Sequence, residues 1–430
     1  MVPLAGATEL RLHALPVPTR YHRFMPKRPA APAKRGEPSV KLSTRGAARL
    51  LARHPWVYRS DLIGADDIPP GAVVRVLDQR GKFLGTALYS SSSQIAIRMI
   101  SHGSVADLPL LIAERIRAAV AYRKENDLVP NSDAYRIVFS EADFLPGLIV
   151  DCYNDVVAVQ ILTQAMDAAP AREAIVQSLC NENEEELQPA GIVERVEPRI
   201  RDLEQLPPRP SGLLWGKKSS TEVTMNGVRF HYDGLEGQKT GAFLDQRENY
   251  AAAAHYAHGD ALDAFCYQGG FALHLAEKCS SVTGVDSSRP ALEMAEKNAA
   301  LNGREVEWIE ANAFDLLRDY SAANRRYDTI VLDPSAFAKT KRDLDKALRG
   351  YKELNLRALK MLRPGGVLVT CSCSFHVGAA DFLKVVADAA QDAHKSARVV
   401  ENRGAARDHP ILLDVPETSY LKCLILIVSY

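Results

Sequence analysis

No run of eighteen apolar residues occurs anywhere in the 430-residue chain, so no transmembrane helix is expected. A secretory leader is lacking as well: Arg11 and Arg20 interrupt the N-terminal stretch, and no apolar core precedes a small-residue cleavage site. Cysteine is sparse and odd in number, seven in all, which argues against a disulfide framework and for a reducing, cytoplasmic setting. Net charge is absent too, with 53 basic and 53 acidic residues, so a uniformly basic nucleic-acid binder is excluded. The distribution says more than the sum. Eleven Lys or Arg and two Glu stand before Pro55, leaving 42 basic against 51 acidic residues after it. Such a basic arm can add affinity for phosphates; a solvated tail accounts for the same charge.

What is present is an ordinary globular composition, 47% hydrophobic and 25% charged, on a chain long enough for two or three domains. Residues 1–36 are rich in Pro, Arg, Lys and Ala without apolar periodicity and read as a basic, disordered tail. Residues 37–107 read as a small β-barrel-like domain. A helical stretch (Ser43–His54) leads into alternating strands at Ala72–Leu77, Phe83–Tyr89 and Ile95–Ile100, with turns at Gly71, Asp78–Gly81 and Ser90–Ser93. Residues 108–222 read as a central α+β domain. Helices are expected over Leu108–Glu125 and Ala169–Cys180, strands over Tyr135–Ser140, Leu148–Asp151 and Val156–Leu162, and an acidic loop at 181–186. No chemistry is legible in that section.

From residue 223 to 430 strands and helices alternate. Strands are expected at Ala261–Phe265, Ser281–Asp286, Val306–Ala311, Tyr327–Asp333 and Gly366–Cys371. Helices are expected at Phe271–Glu277, Pro290–Asn302, Arg349–Met361 and Ala379–Ala390. That alternation predicts an α/β fold: a doubly wound, mostly parallel, Rossmann-like sheet. Ligands in such sheets bind outside the carboxyl ends of the strands, where strand order reverses. Polar and glycine-rich residues stand at four of these ends: Asp263 to Gly270, Asp286, Asn312 and Asp333 to Phe337. The Gly269-Gly270 turn is not a G-x-G-x-x-G phosphate cradle. Asp286 suits a ribose diol, or the N-cap of the helix that follows. Together the four ends favour a nucleoside-type ligand.

Several strings are more specific. His54-Pro-Trp-Val-Tyr58, Glu141-Ala-Asp-Phe-Leu-Pro-Gly-Leu-Ile-Val-Asp151, Glu236-Gly-Gln-Lys-Thr-Gly-Ala-Phe-Leu-Asp-Gln-Arg247, Asp263 to Gly270, Asp333-Pro334, Arg349-Gly-Tyr-Lys352 and Ser372-Cys-Ser374 run through the chain from Pro38 onward. In these segments it resembles the bacterial 23S ribosomal RNA cytosine-C5 methyltransferases of the large-subunit methyltransferase I type. The resemblance implies an N-terminal PUA domain that binds RNA, a central α+β domain and a class I methyltransferase domain. S-adenosyl-L-methionine (SAM) would be the cofactor and RNA the partner, a homodimer is the assembly often found in this family type, and no metal is expected.

By this resemblance Lys239, Thr240, Phe243, Asp245 and Arg247 pack over the methionine end or adenosine of SAM. Asp263, Phe265, Tyr267 and Gly269 line the methionine and sulfonium region, Asp286 holds the ribose, and Asn312 lies beside adenine. Asn312 stands where the family pattern has Asp; its amide oxygen is expected still to accept from the adenine amino group. Cytosine C5 is too weak a nucleophile to take a methyl group unaided, so a thiolate must first add to C6. Cys373 is the expected nucleophile, with Asp333 beside it at the base, while Cys371 is read as packing. A Cys371-x-Cys373 metal pair lacks His or Cys partners at useful spacing. Pro334, Phe337, Lys339, Arg349 and Lys352 are expected on the substrate side, Phe337 either stacked on the base or in the core. Ser335 replaces the second proline of the family's Asp-Pro-Pro-x-Phe pattern, removing a constraint on the loop that meets the base. Transfer to another base atom, which needs no thiol, remains open. So do a non-catalytic RNA-binding factor that retains the fold and a methyltransferase acting on small molecules.

Overall fold

Alternation of apolar and polar residues builds the first sheet. In the computed structural model, which describes residues 38–65, 67–180, 187–235, 243–338 and 340–429, this sheet has six strands. Their order is Trp56–Tyr58, Ile95–Ser101, Phe83–Tyr89, Val73–Leu77, Ser39–Leu42 and Leu62–Ile63. The three strands read from the alternation are present, with ends shifted by at most one residue. Helix Thr44–Leu51 is shorter than the stretch expected and starts where the Ser43 hydroxyl accepts from the Gly46 N–H. The N-terminal tail and the acidic loop at 181–186 lie outside the described residues.

The second sheet has five strands in the order Gly212–Gly216, Gly191–Glu194, Val156–Ile161, Leu148–Tyr153 and Ala134–Phe139. Helices Leu108–Glu125 and Ala169–Leu179 pack against each other, and their apolar faces share one hydrophobic cluster with this sheet. That cluster also takes in Leu88 and Ile100 of the first sheet, so the two sheets are joined by apolar contact. Polar bonds add to the joint: the Trp56 indole N–H donates to Glu141 at 2.9 Å, and the Ser90 hydroxyl to buried Glu204 at 2.7 Å. A hairpin not anticipated from the sequence, Ser220–Met225 with Val228–Asp233, carries the chain onward. The Tyr232 ring stacks on Tyr153 with centroids 3.7 Å apart, and its apolar residues share a cluster with Leu273 and Ala299 of the C-terminal region.

The C-terminal sheet has seven strands: β1 (Asp260–Ala264), β2 (Ser281–Asp286), β3 (Glu307–Glu310), β4 (Tyr327–Leu332), β5 (Leu362–Ser372), β6 (Ser396–Arg403) and β7 (Lys422–Ser429). Their order is β3-β2-β1-β4-β5-β7-β6. The first five are parallel, and β7 inserts antiparallel between β5 and β6. Helices Arg247–Tyr256 and Gly270–Leu275 share one apolar cluster with the sheet; helices Ala313–Ala322, Leu344–Met361 and Ala379–Asp392 share another. Helices on both faces make this a doubly wound α/β fold. Because β1 pairs with both β2 and β4, strand order reverses at β1, and a crevice opens at its carboxyl end. Among the described residues no helix is long and apolar enough to cross a membrane.

Candidate cofactor and nucleophile site

The loop after β1 holds two aromatic residues in left-handed backbone: Phe265 at φ +73° and Tyr267 at φ +48°, followed by Gly269 at +88°. Such conformations cost about 1–3 kcal/mol each for non-glycine residues and persist only where surrounding bonds impose them. Here the Phe265 and Cys266 N–H groups both donate to the Val285 carbonyl, at 2.8 and 3.0 Å. The Tyr267 N–H donates to Asp286 at 3.0 Å. The Tyr250 ring fixes Gly270, since a Cβ there would lie 2.6 Å from it. The loop is thereby wound tightly between β1 and β2, with its backbone close to the crevice.

Asp263 is fully buried at the end of β1, and one carboxylate oxygen accepts from the Ala272 N–H at 2.9 Å. The other has no hydrogen-bond partner. Burial, opposed by that N–H and reinforced by the neighbouring Asp333 and Asp286, pushes the Asp263 carboxyl up to about 8. Asp286 accepts from the Tyr267 and Ser288 N–H groups, one on each oxygen. It does not cap the next helix; Ser288 does. Each Asp286 oxygen keeps a lone-pair direction for a hydroxyl. Phe243 meets Tyr267 edge to face, centroids 5.1 Å apart.

Beyond β4, Asp333 accepts from the amide of buried Gln246 at 2.9 Å. The Cys373 thiol lies just past the end of β5, half-buried, and contacts the Pro334 carbonyl at 3.8 Å. Two neighbours fix this turn. The buried Ser374 hydroxyl accepts from the Phe337 and Ala338 N–H groups at 3.0 and 3.2 Å and lies 3.0 Å from the Tyr351 hydroxyl. The Lys422 ammonium donates to the Ser374 carbonyl at 2.7 Å. Phe337 is half-buried with its ring 4.6 Å from Tyr351 and 5.7 Å from Phe314, so it belongs at least partly to the core. Phe265 continues that aromatic row at 6.2 Å from Phe314.

Other expected site residues lie elsewhere. Arg247 is wholly enclosed: its guanidinium donates to the Leu128 carbonyl and pairs with Asp408 at 3.3 Å. It therefore ties the C-terminal region to the central one. Asp245 is also buried, accepting from the Tyr420 hydroxyl at 2.6 Å. The ammonium of Lys352 pairs with Asp392 of the adjacent helix at 2.8 Å, which ties two helices together. Arg349 is exposed one turn earlier on the same helix. The side chain of Asn312 caps helix Ala313–Ala322, its oxygen accepting from the Phe314 and Asp315 N–H groups. That oxygen is thus committed to the helix, and the amide nitrogen, a donor only, takes the outward side. Lys239, Thr240 and Lys339 lie outside the described residues. Cys371 is buried and faces Cys423 across the strand pair, as packing requires.

Gln246, Ser374, Tyr420 and Lys422 were not singled out from the sequence. Gln246 sits inside the Asp245-Gln-Arg247 string, and Lys422 is the lone charge opening an otherwise apolar strand; both signals were there. Among the described residues no group of three or more His, Cys, Asp or Glu could hold a metal ion.

Comparison with known proteins bears on this geometry. A pattern described as an S-adenosylmethionine-dependent methyltransferase matches residues 210–426, and one described as a PUA-like domain matches residues 40–102. The ribosomal RNA large subunit methyltransferase I of Photobacterium profundum is 37% identical over 386 residues, covering 87% of this chain and 95% of the relative. The chain belongs to that family. Its namesake in Shewanella denitrificans is likewise 37% identical, over 90% of this chain and 98% of its own length. A methyltransferase solved in complex with SAH superposes with a TM-score of 0.77 over 91% of this chain and all of its own, at 18% identity. At that identity the likeness speaks for the fold alone. The family is SAM-dependent, and the residues around β1 fit a cationic nucleoside cofactor: a buried carboxylate with an unpartnered oxygen, a second carboxylate at the next strand end, and an aromatic pair beside them.

Proposed function

We propose that this chain methylates carbon-5 of a cytosine in 23S ribosomal RNA, with Cys373 as nucleophile. The observation that carries the reading is the half-buried Cys373 thiol just past the carboxyl end of β5, 3.8 Å from the carbonyl of Pro334, the residue that follows Asp333. The names of the relatives supply the ribosomal substrate class. The proposed organisation is a PUA-like RNA-binding domain over 37–107, a central domain over 108–222 and the methyltransferase domain over 223–430. A ribosomal RNA substrate puts the reaction in the cytoplasm.

In this reading Asp263 takes the positive end of the cofactor, Asp286 its ribose, and Phe243, Phe265, Tyr267 and Gly269 shape the walls. When bound, the cofactor supplies an electrophilic methyl group. The Cys373 thiolate adds to cytosine C6, raising electron density at C5; Asp333, oriented by Gln246, steadies the base at N3 during addition. After C5 is methylated, its proton leaves to a base, the C6–sulfur bond breaks and the thiolate is restored. Pro334 and Phe337 border the base, and Arg349 offers a cation to backbone phosphate.

The test is to incubate the protein with methyl-labelled SAM and large-subunit ribosomal RNA, digest to nucleosides and identify the labelled product. Labelled 5-methylcytidine is the expected result. Label on another nucleoside would keep the methyltransferase and discard the covalent route. Absence of both label and SAM binding would leave an RNA-binding factor.

A further inference from the structure

Lys422 is 7% exposed, at the start of the strand Lys-Cys-Leu-Ile-Leu-Ile-Val-Ser. Register puts it directly opposite Ser372 on the antiparallel partner strand, one residue before Cys373. Its ammonium donates to the carbonyls of Ser374 at 2.7 Å and Tyr420 at 2.8 Å. An ammonium has three N–H groups. Among the described residues no carboxylate lies within ion-pair distance of it, an unusual state for a buried cation, because burial without a counter-charge is costly. The acidic group that acts on it electrostatically is Cys373.

We propose that Lys422 is the positioning residue for the nucleophile: it pins the turn that carries Cys373 and sets a cation beside the thiol, so that the thiolate is the favoured form when cytosine enters. The proposal rests on the reading of Cys373 as nucleophile. Lys422 keeps its proton throughout, and no bond to it is made or broken; the thiol proton goes to solvent before addition. Burial pulls the lysine down to about 8, and Cys373 opposes that shift, as a mutually supporting ammonium and thiolate would. Among the described residues, Tyr351 from helix Leu344–Met361 and Tyr420 from the segment before β7 also act on the thiol electrostatically. Burial pushes both phenols up, so they stay neutral near pH 7. Lys422 thus faces the thiol as a cation, where these phenols carry no charge.

The experiment measures alkylation of Cys373 by iodoacetamide between pH 6 and 10 in the full chain, with the modified peptide quantified by mass spectrometry and Cys373→Ser as its control. Lys422→Met removes charge and hydrogen bonds, Lys422→Gln keeps a neutral donor, and Lys422→Arg keeps the charge; SAM binding reports that each variant is folded. The expected result is that Met and Gln slow alkylation at pH 7 about tenfold, that their rates converge with the parent at pH 10, and that Arg restores most of the neutral-pH rate. Turnover falls in the same order with KM for RNA little changed. A Gln variant with the parent's pH profile would overturn the proposal, leaving Lys422 as a structural pin. If Cys373→Ala retains methyl transfer, the nucleophile reading fails, whereas the alkylation profile still decides whether Lys422 governs the thiol.

Discussion

The two halves of the crevice are built by opposite means. At β1 and β2 the chain bends to suit carboxylates: backbone N–H groups of Tyr267, Ala272 and Ser288 point at Asp286 and Asp263, and aromatic residues accept left-handed backbone to allow it. At β4 and β5 side chains hold the backbone instead. The Ser374 hydroxyl gathers the Phe337 and Ala338 N–H groups, and the Lys422 ammonium gathers two carbonyls. The first half gathers carboxyl groups, one of them ready to ionise when a cation arrives, and the second sets a cation beside a thiol. A crevice polarised in this way suits a cationic cofactor on one side and an attacking thiolate on the other.

The comparison can be broken most severely on the thiol side. Cys373→Ala is expected to lower methyl transfer at least about 1000-fold, about 4 kcal/mol in the barrier, while calorimetric titration finds SAM affinity unchanged. Comparable losses of both would mean that the halves are not separable.

On the carboxylate side the expected effect is smaller and pH-dependent. The Asp263 carboxyl is pushed up to about 8, above its unfolded value. Its contribution to stability is therefore fully present below about pH 4 and lost as pH rises through about 8. Asp263→Asn should flatten that fall between about pH 4 and 8 in thermal denaturation. A cation arriving beside the carboxyl favours ionisation, so SAM binding should release about one proton at pH 7 and almost none above pH 9. Titration calorimetry in buffers of different ionisation enthalpy reads this directly. Asp263→Asn should abolish the release and weaken binding by about 2 kcal/mol. Release that persists in the variant would place the titrating group elsewhere.

Asn312→Asp sharpens the comparison most gently. Asp caps a helix about as well as Asn, so stability should hold, and the outward atom becomes an acceptor in place of a donor. SAM should then bind more tightly by about 1 kcal/mol, measured by the same titration; unchanged affinity would mean that this side chain does not meet the adenine.

Much of the cofactor side could be read in advance. Short apolar strands carrying Asp263, Asp286 and Asp333 at or near their carboxyl ends announce a parallel sheet with polar strand ends, because a strand buried on both faces tolerates polarity only where it emerges. The target side was legible in Cys373 but not in what surrounds it. Ser374 gathers N–H groups 36 and 37 residues away, and Gln246 reaches Asp333 across 87 residues; nothing local requires either. β6 and β7 were not foreseen: β6, at the sheet edge with Val399 and Val400 exposed, has no strong apolar alternation. Arg247 makes a related point. A specific string marks a residue that matters, yet the string does not distinguish a cofactor contact from a buried pairing with Asp408.

By itself the sequence determined the alternation of the first five strands of the C-terminal sheet with most of their helices, the doubly wound class and the residues at those strand ends, since these follow from periodicity and local propensity. Tertiary structure alone decided which of those residues share a crevice, that the Asn312 oxygen belongs to a helix cap, and that a buried lysine stands beside the thiol. Burial and electrostatic pairing depend on which distant segments close over a group, and that is settled only when the sheet is assembled.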